Sequence, residues 1–248
     1  MTALILLTRP RAASERFAQE VRQSLGPDCA EVMIAPLAEI APRGTLPDMS
    51  TYRGVVFTSQ NAVATYGDAG GRTDLPAYCV GDATARAAAD LGMAAHSAQG
   101  DAQALVAMIL QAPAQGPLLH LRGAQGRGRV AERLTAGGLI CDEAILYEQR
   151  DVAISAEHKA LLAEHRTQDG PIIAPVFSPL GAARLARIGD FMPTVWVLAI
   201  SDAAASGLGD FTPDRLLVAD VPDRNAMLDG LKRLSDAAAR LEGRRPAH

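Results

Sequence analysis

The sequence predicts an α/β protein whose parallel sheets are covered by helices on both faces and divided between two similar domains. Three observations carry this. Short apolar, β-rich runs alternate with segments of helical period along the whole chain, the pattern of doubly wound parallel sheets. About ten such runs are many for one sheet. The order of strands, turns and helix starts also repeats between the two halves.

Taken in order, Leu4 to Thr8 is the first apolar run, turning at Arg9-Pro10-Arg11. A helix follows, with Ala13, Phe17, Val21 and Leu25 at four-residue spacing, ended by Gly26-Pro27-Asp28. Glu31 to Ala35 reads as a second strand that continues through Pro36 to Ile40. Pro42 to Tyr52 reads as a loop. Gly54 to Phe57 is an apolar strand, and Thr58-Ser59-Gln60-Asn61 is a polar helix start. Gly67 to Pro76 is glycine-rich and is expected to be mobile surface. Ala77 to Gly81 is a strand, after which Asp82-Ala83-Thr84 opens an alanine-rich helix to Leu91. Gly100-Asp101 caps a helix placing Leu105, Val106, Ile109 and Leu110 on one face.

Pro117 to Arg122 is the next strand, followed by a helix from Gly126 to Ala136 with Val130 and Leu134 inward. Leu139 to Arg150 is a long extended segment containing Tyr147. Ser155 caps a helix through Leu161 and Leu162. Strands are expected at Ile172 to Phe177, Val195 to Ile200 and Arg215 to Ala219. Ser178-Pro179 pairs a capping hydroxyl with proline at the first helical position. Helices run from Leu180 to Ile188, briefly after Asp202, and from Arg224 to Leu241. The tail from Glu242 to His248 is expected to fray.

The 248 residues are 48% hydrophobic and 21% charged, enough to bury cores and unlike a disordered chain. No apolar stretch reaches the length of a membrane span, and the first residues read as a strand, not a leader. Cys29, Cys79 and Cys141 are odd in number and far apart, which argues against a disulfide framework and for a reducing, cytoplasmic setting. A net charge of −4 gives no general attraction to nucleic acid. Lys159 and Lys232 are the only lysines; the other basic residues are arginine. Coding bias explains most of that, so only arginines at strand ends carry functional weight.

The repeat aligns Arg9 with Arg122, Ser59 with Ser178, and Gly81 to Ala85 with Ser201 to Ala205, at offsets of about 113 to 120 residues. Ligands of open α/β sheets bind outside the carboxyl ends of the strands. Arg9, Ser59, Thr84, Arg122 and Ser178 are therefore candidates for one site. Gly123-Ala-Gln-Gly126-Arg-Gly128 is neither the dinucleotide nor the phosphate-loop fingerprint. It is either an anion-binding turn flanked by Arg122, Arg127 and Arg129 or a solvated turn. The five histidines show no metal spacing, and Ser178 lacks the glycines of a nucleophile elbow.

Phe57-Thr58-Ser59-x-Asn61-Ala62-Val63, Val80-Gly81-x-Ala83-Thr84-Ala85, Gly100-Asp101-Ala102, Leu121-Arg122-Gly123, Tyr147 and Phe177-Ser178-Pro179 together resemble the uroporphyrinogen-III synthase family, from about Leu4 to Leu228. The resemblance implies two α/β domains joined by a two-stranded ladder, with the first strand and helix packing on the C-terminal part. One domain would be discontinuous, residues 1–36 plus 152–248; the inserted domain would be 53–143; 37–52 and 144–151 would hold the linker strands. The implied reaction is cofactor-free cyclisation of hydroxymethylbilane, a linear tetrapyrrole with eight carboxylates, with loss of water and inversion of ring D. No metal, nucleic acid or membrane is implied, and the chain would act as a cytoplasmic monomer.

Such a reaction is mainly a task of orientation. The resemblance places substrate carboxylates at the helix starts of Thr58, Ser59, Gln60 and Asn61 and of Ser178, Leu180 and Gly181, with Arg9, Arg122 and Gly123 beside them. Tyr147 either donates a hydrogen bond to the departing hydroxyl, as phenols do at neutral pH, or packs between ladder and domain. Thr84 either matches the family's cleft threonine or caps its helix. Ala204 stands where the family often has threonine, leaving Ser201 as the nearest hydroxyl. Two other readings share the fold: a non-enzymatic two-domain binder of small anions, and a phosphosugar-handling domain using the Gly123 turn. Domains joined by thin ladders are expected to move relative to one another.

Overall fold

The structure, a computed structural model, describes residues 3–26, 31–111, 116–126, 129–167 and 170–242. Its elements in chain order are β1 (Leu4–Leu7), α1 (Arg11–Leu25), β2 (Glu31–Ile34), β3 (Ala38–Pro42), β4 (Gly54–Phe57), α2 (Gln60–Asp68), β5 (Ala77–Cys79), α3 (Asp82–Asp90), β6 (Ala95–Ser97), α4 (Ala102–Gln111), β7 (Leu118–Gly123), α5 (Val130–Ala136), β8 (Cys141–Asp151), α6 (Ala156–Thr167), β9 (Ile172–Val176), α7 (Pro179–Ala186), β10 (Val195–Ala199), α8 (Asp202–Ala205), β11 (Arg215–Val218) and α9 (Arg224–Glu242). The chain forms two compact units, Met1–Glu39 with Asp151–His248, and Ile40–Arg150.

The first unit holds a parallel sheet ordered β11-β10-β9-β1-β2. In chain order this is the 2-1-3-4-5 doubly wound arrangement. The second sheet is ordered β3-β8-β7-β4-β5-β6, and its five strands from β4 to β8 are parallel. Matching β7 and β8 to β1 and β2, and β4, β5 and β6 to β9, β10 and β11, makes the two orders identical. Each unit thus takes two strands from one sequence repeat and three from the other. The repeat is real in the sheets, but the halves have exchanged strands.

Apolar residues on alternate sides of each strand give each sheet two buried faces. In the first unit, Leu4, Leu6, Ile172 and Val197 pack with Leu162 of α6 and Leu185 of α7. Ile5, Leu7, Ile173 and Trp196 pack with Phe17 of α1 and Met227 and Leu231 of α9. In the second, Val55, Phe57, Leu119 and Leu121 meet α2 and α3, and Val56, Tyr78 and Leu118 meet α4 and α5.

The expected long strand across Pro36 is two strands. Ala35 N–H donates to Leu7 C=O and Leu37 N–H to Thr8 C=O, both at 3.0 Å; Pro36 between them has no N–H to continue the ladder. The chain then leaves for the second sheet as β3. Arg43 N–H donates to Leu146 C=O and Val152 N–H to Leu37 C=O. The two bonds advance along β3 while receding along β8, so this pair is the antiparallel ladder.

Leu110, expected on one face with Leu105, Val106 and Ile109, is 40% exposed, because it sits one position past the buried stripe of those three residues. The segment from Gly67 to Pro76, expected to be mobile, is tied down. Tyr66 donates its hydroxyl to Arg72 C=O at 2.8 Å, and Arg72 reaches Met49 C=O and Asp74. β6 carries little sequence signal because it is a three-residue, half-exposed edge strand. Pro27, Asp28, Cys29, Arg127, Gly128 and the tail from Gly243 to His248 lie outside the described residues. Among the described residues no helix is long and apolar enough to cross a membrane.

Candidate functional site

In this strand order the connections diverge at one point, which opens a crevice at the carboxyl ends of two neighbouring strands. In the first unit those neighbours are β1 and β9, followed by Thr8-Arg9 and Phe177-Ser178. In the second they are β7 and β4, ending in Arg122-Gly123 and followed by Thr58-Ser59. The topology therefore brings Arg9 to Ser178, and Arg122 and Gly123 to Ser59.

In the second unit Ser59 caps α2, its Oγ accepting from Ala62 N–H at 3.1 Å. The same Oγ lies 2.8 Å from the Tyr147 hydroxyl. Gln60 and Asn61, half-buried, begin the helix, and their N–H groups precede any intrahelical acceptor. Tyr147 reaches Ser59 because the β7–β8 register slips by one residue: Arg122 faces Ile145, but Gly123 faces Tyr147. A bulge of this kind re-aims side chains. Leu146 and Tyr147, adjacent in sequence, consequently pack into the same core. The Tyr147 ring lies over Gly123, where a Cβ would come within 2.6 Å of it.

On the other side of β7, buried His120 stands beside Thr58 and Glu143. Its Nε2 is 3.4 Å from Thr58 Oγ1. Its Nδ1 is 3.5 Å from Glu143 Oε2 but makes no hydrogen bond. Burial pulls the His120 pKa down to about 4, outweighing Glu143, so the ring is neutral at pH 7. Arg122 donates to Glu143 at 2.6 Å and to Gly123 C=O at 2.9 Å. The bond to Glu143 holds that carboxyl below the usual carboxylate range. The Arg122 charge is thus matched within its own unit, and its fork braces the Gly123 turn. Sequence reasoning missed Glu143, since only the register His120 opposite Glu143 brings the two together. Arg129 likewise pairs with Glu132.

Thr84 is buried in the first turn of α3, behind Gly81, which occupies the capping position. Its N–H donates to Gly81 C=O at 3.0 Å, so Thr84 is not the cap.

In the first unit the Arg9 guanidinium lies 4.4 Å from the centre of the Phe177 ring. Burial against the protein, then Arg16, lowers its pKa. The side chain as a whole is nonetheless exposed, and an arginine open to water keeps its charge. Ser178 caps α7, accepting from Gly181 N–H at 3.1 Å. Pro179 has no N–H, so Leu180 supplies the first open donor of that helix. At the corresponding start of α8, Ser201 Oγ accepts from Ala204 N–H at 3.2 Å. Among the described residues no cluster of three His, Cys, Asp or Glu side chains is placed to hold a metal ion.

The fold and these strand ends define a class: a two-unit α/β protein whose helix starts present hydroxyl caps and open N–H donors, groups suited to carboxylates. The family model described as uroporphyrinogen-III synthase HemD matches residues 19–229. The chain belongs to the uroporphyrinogen-III synthase family. It is similar to the uroporphyrinogen-III synthetase of Helicobacter pylori, with 16% identity and a TM-score of 0.64, covering 94% of this chain and 100% of that one. It is also similar to a mutant uroporphyrinogen III synthase of Thermus thermophilus, with 17% identity and a TM-score of 0.48, covering 95% of this chain and 100% of that one. At these identities the first likeness speaks for the fold alone. No curated protein matches the chain.

Proposed function

We infer that this chain is a cyclising hydro-lyase that closes hydroxymethylbilane to uroporphyrinogen III, expelling water and inverting ring D. The observation that carries it is the family match over residues 19–229. The work is positional. The bilane closes without help to the uninverted isomer, so the protein must bring ring D to attack through its substituted carbon, by way of a spiro intermediate.

The open N–H groups of Gln60, Asn61 and Leu180 serve the substrate carboxylates, since helix starts favour anions. Arg9, whose guanidinium makes no hydrogen bond among the described residues and rests on the Phe177 ring, adds a charge-assisted contact. Thr58, Gly123, Ser178 and Gly181 shape the same strand ends, and Arg122 holds the Gly123 turn. Tyr147 donates a hydrogen bond to the departing hydroxyl, and Thr84 borders the next strand end. The enzyme works as a monomer in the cytoplasm, a setting in keeping with the free, buried thiols of Cys79 and Cys141.

The test is a coupled assay. Hydroxymethylbilane is generated in situ, the purified protein is added without metals or cofactors, and the oxidised products are resolved. Predominantly isomer III supports the reading. Only isomer I, from a folded protein, refutes it.

A further inference from the structure

Tyr147 is held from three directions, and none of the three is needed merely to bury a ring. The first is the slipped register that sets Tyr147 opposite Gly123. The second is the missing side chain at Gly123. An added Cβ would stand 2.6 Å from Tyr147 Cζ, 2.7 Å from Cε2 and 3.0 Å from the hydroxyl oxygen, closer than carbon atoms approach in packed proteins. The bare Cα is thus a seat for the reacting end of the ring. The third is Ser59, whose Oγ lies 2.8 Å from the Tyr147 hydroxyl while accepting from Ala62 N–H. The backbone is fixed as well: Tyr147 C=O accepts from Ala124 N–H at 2.8 Å, on the turn braced by Arg122.

We propose that Gly123 and Ser59 are positioning residues that aim the Tyr147 hydroxyl, Gly123 by leaving the space and Ser59 by donating its own hydrogen to the phenolic oxygen. Hydrogen counting allows this direction, since either hydroxyl could donate across the 2.8 Å contact. Ser59 Oγ has one hydrogen, and one of its lone pairs is taken by Ala62 N–H. A hydroxyl that accepts at a helix start is polarised into a better donor. With Ser59 donating, the Tyr147 hydrogen is unspent and free for the leaving hydroxyl; with Tyr147 donating, it would be consumed inside the protein. Gly123 then acts through Tyr147, not through contact with a carboxylate.

This rests on the donor role proposed for Tyr147, and double mutants separate the two. The rate of isomer III formation and the III-to-I ratio are measured for the wild type, Tyr147→Phe, Gly123→Ala, Ser59→Ala, Ser59→Thr, and the Gly123→Ala and Ser59→Ala changes each combined with Tyr147→Phe. Near-ultraviolet circular dichroism reports that each is folded. Tyr147→Phe is expected to lose about tenfold or more. Gly123→Ala and Ser59→Ala are expected to lower kcat with KM within about twofold, and to cost no more than about twofold once Tyr147 is phenylalanine. Ser59→Thr, which keeps the hydroxyl, is expected to restore most of the rate.

Gly123→Ala or Ser59→Ala losses that multiply with that of Tyr147→Phe overturn the positioning role while leaving the donor role standing. A raised KM at unchanged kcat does the same. A Tyr147→Phe variant within about twofold of the wild type overturns the donor role, and the positioning role with it. Should Gly123→Ala fail to fold, the Ser59 series and its threonine rescue decide alone.

Discussion

Acid should weaken the second unit through His120, and the structure gives the size of the effect. The ring is 1% exposed, between Thr58, Glu143 and Arg122. Burial lowers its folded pKa from 6.5 to about 4, with Arg122 adding to the fall and Glu143 opposing it. A histidine whose folded pKa is depressed binds fewer protons folded than unfolded, so stability rises with pH across the interval and is lost as pH falls. The loss begins near pH 6.5 and is complete below about 4. Between pH 7 and pH 5 it amounts to about 2 kcal/mol, and it approaches about 3 kcal/mol at pH 4. Glu143, also depressed, loses its contribution as pH falls through its own lower range. The sign is the same, but the window lies below pH 5, so the upper part belongs to histidine.

The aromatic residues make the measurement local. Tyr52, Tyr66, Tyr78 and Tyr147 all lie in the unit Ile40–Arg150, whereas Trp196, the only tryptophan, lies in the other. Urea unfolding is followed by near-ultraviolet tyrosine dichroism for the first and tryptophan fluorescence for the second, at pH 7 and pH 5, in the wild type and in His120→Gln. The tyrosine midpoint of the wild type is expected to fall by about 1 M more than that of the variant, given slopes of about 1–2 kcal/mol per molar urea. Equal falls in the two proteins would refute a buried, neutral His120. A direct ring titration by NMR giving an ordinary pKa would do the same if the variant does not fold.

Three further outcomes follow from local geometry. Ser178→Ala removes the acceptor for Gly181 N–H and is expected to destabilise the first unit by about 1 kcal/mol, read as a lower urea midpoint in Trp196 fluorescence. Gly207→Ala drives a Cβ into the Pro179 backbone, which cannot step aside, and is expected to cost about 3 kcal/mol by the same readout. Burial pushes the thiols of Cys79 and Cys141 up to about 12. Both should therefore resist alkylation at pH 8 in the folded protein and react in urea, as peptide mass spectrometry will show.

The strands and helix starts are legible because their signals are local. Four-residue apolar runs such as Leu4-Ile5-Leu6-Leu7, with both faces covered, announce a buried parallel strand, and the hydroxyls of Ser59 and Ser178 announce the turn after it. The parts that escape depend on register. His120 and Glu143 meet only because β7 pairs with β8, and Tyr147 meets Ser59, 88 residues away, only because that pairing slips at Gly123. Thr84 resembles a cap because it follows a glycine and an aspartate, but the helix starts earlier. Pro36 is tolerable to the eye within one strand because residues on both sides of it bond to the chain at the end of β1; the missing donor marks where the chain changes sheets.

The exchange of strands also changes how the repeat must be read. Arg9 and Arg122 match at one end of each repeat, and Ser59 and Ser178 match at the middle. A simple tandem duplication would put Arg9 beside Ser59 in one unit and Arg122 beside Ser178 in the other. The observed sheets do the opposite: β1 lies against β9, and β7 against β4. Each crevice is therefore made by both repeats, with the arginine turn from one and the serine-capped helix from the other. Neither half of the sequence contains a complete switch point. The two strand ends have different neighbours. At β7 the arginine is tied to Glu143 and a tyrosine reaches the serine cap, whereas at β1 the arginine rests on Phe177 with its donors open. One crevice holds a phenol and the other an arginine with open donors, so the two strand ends, alike in topology, differ in chemistry.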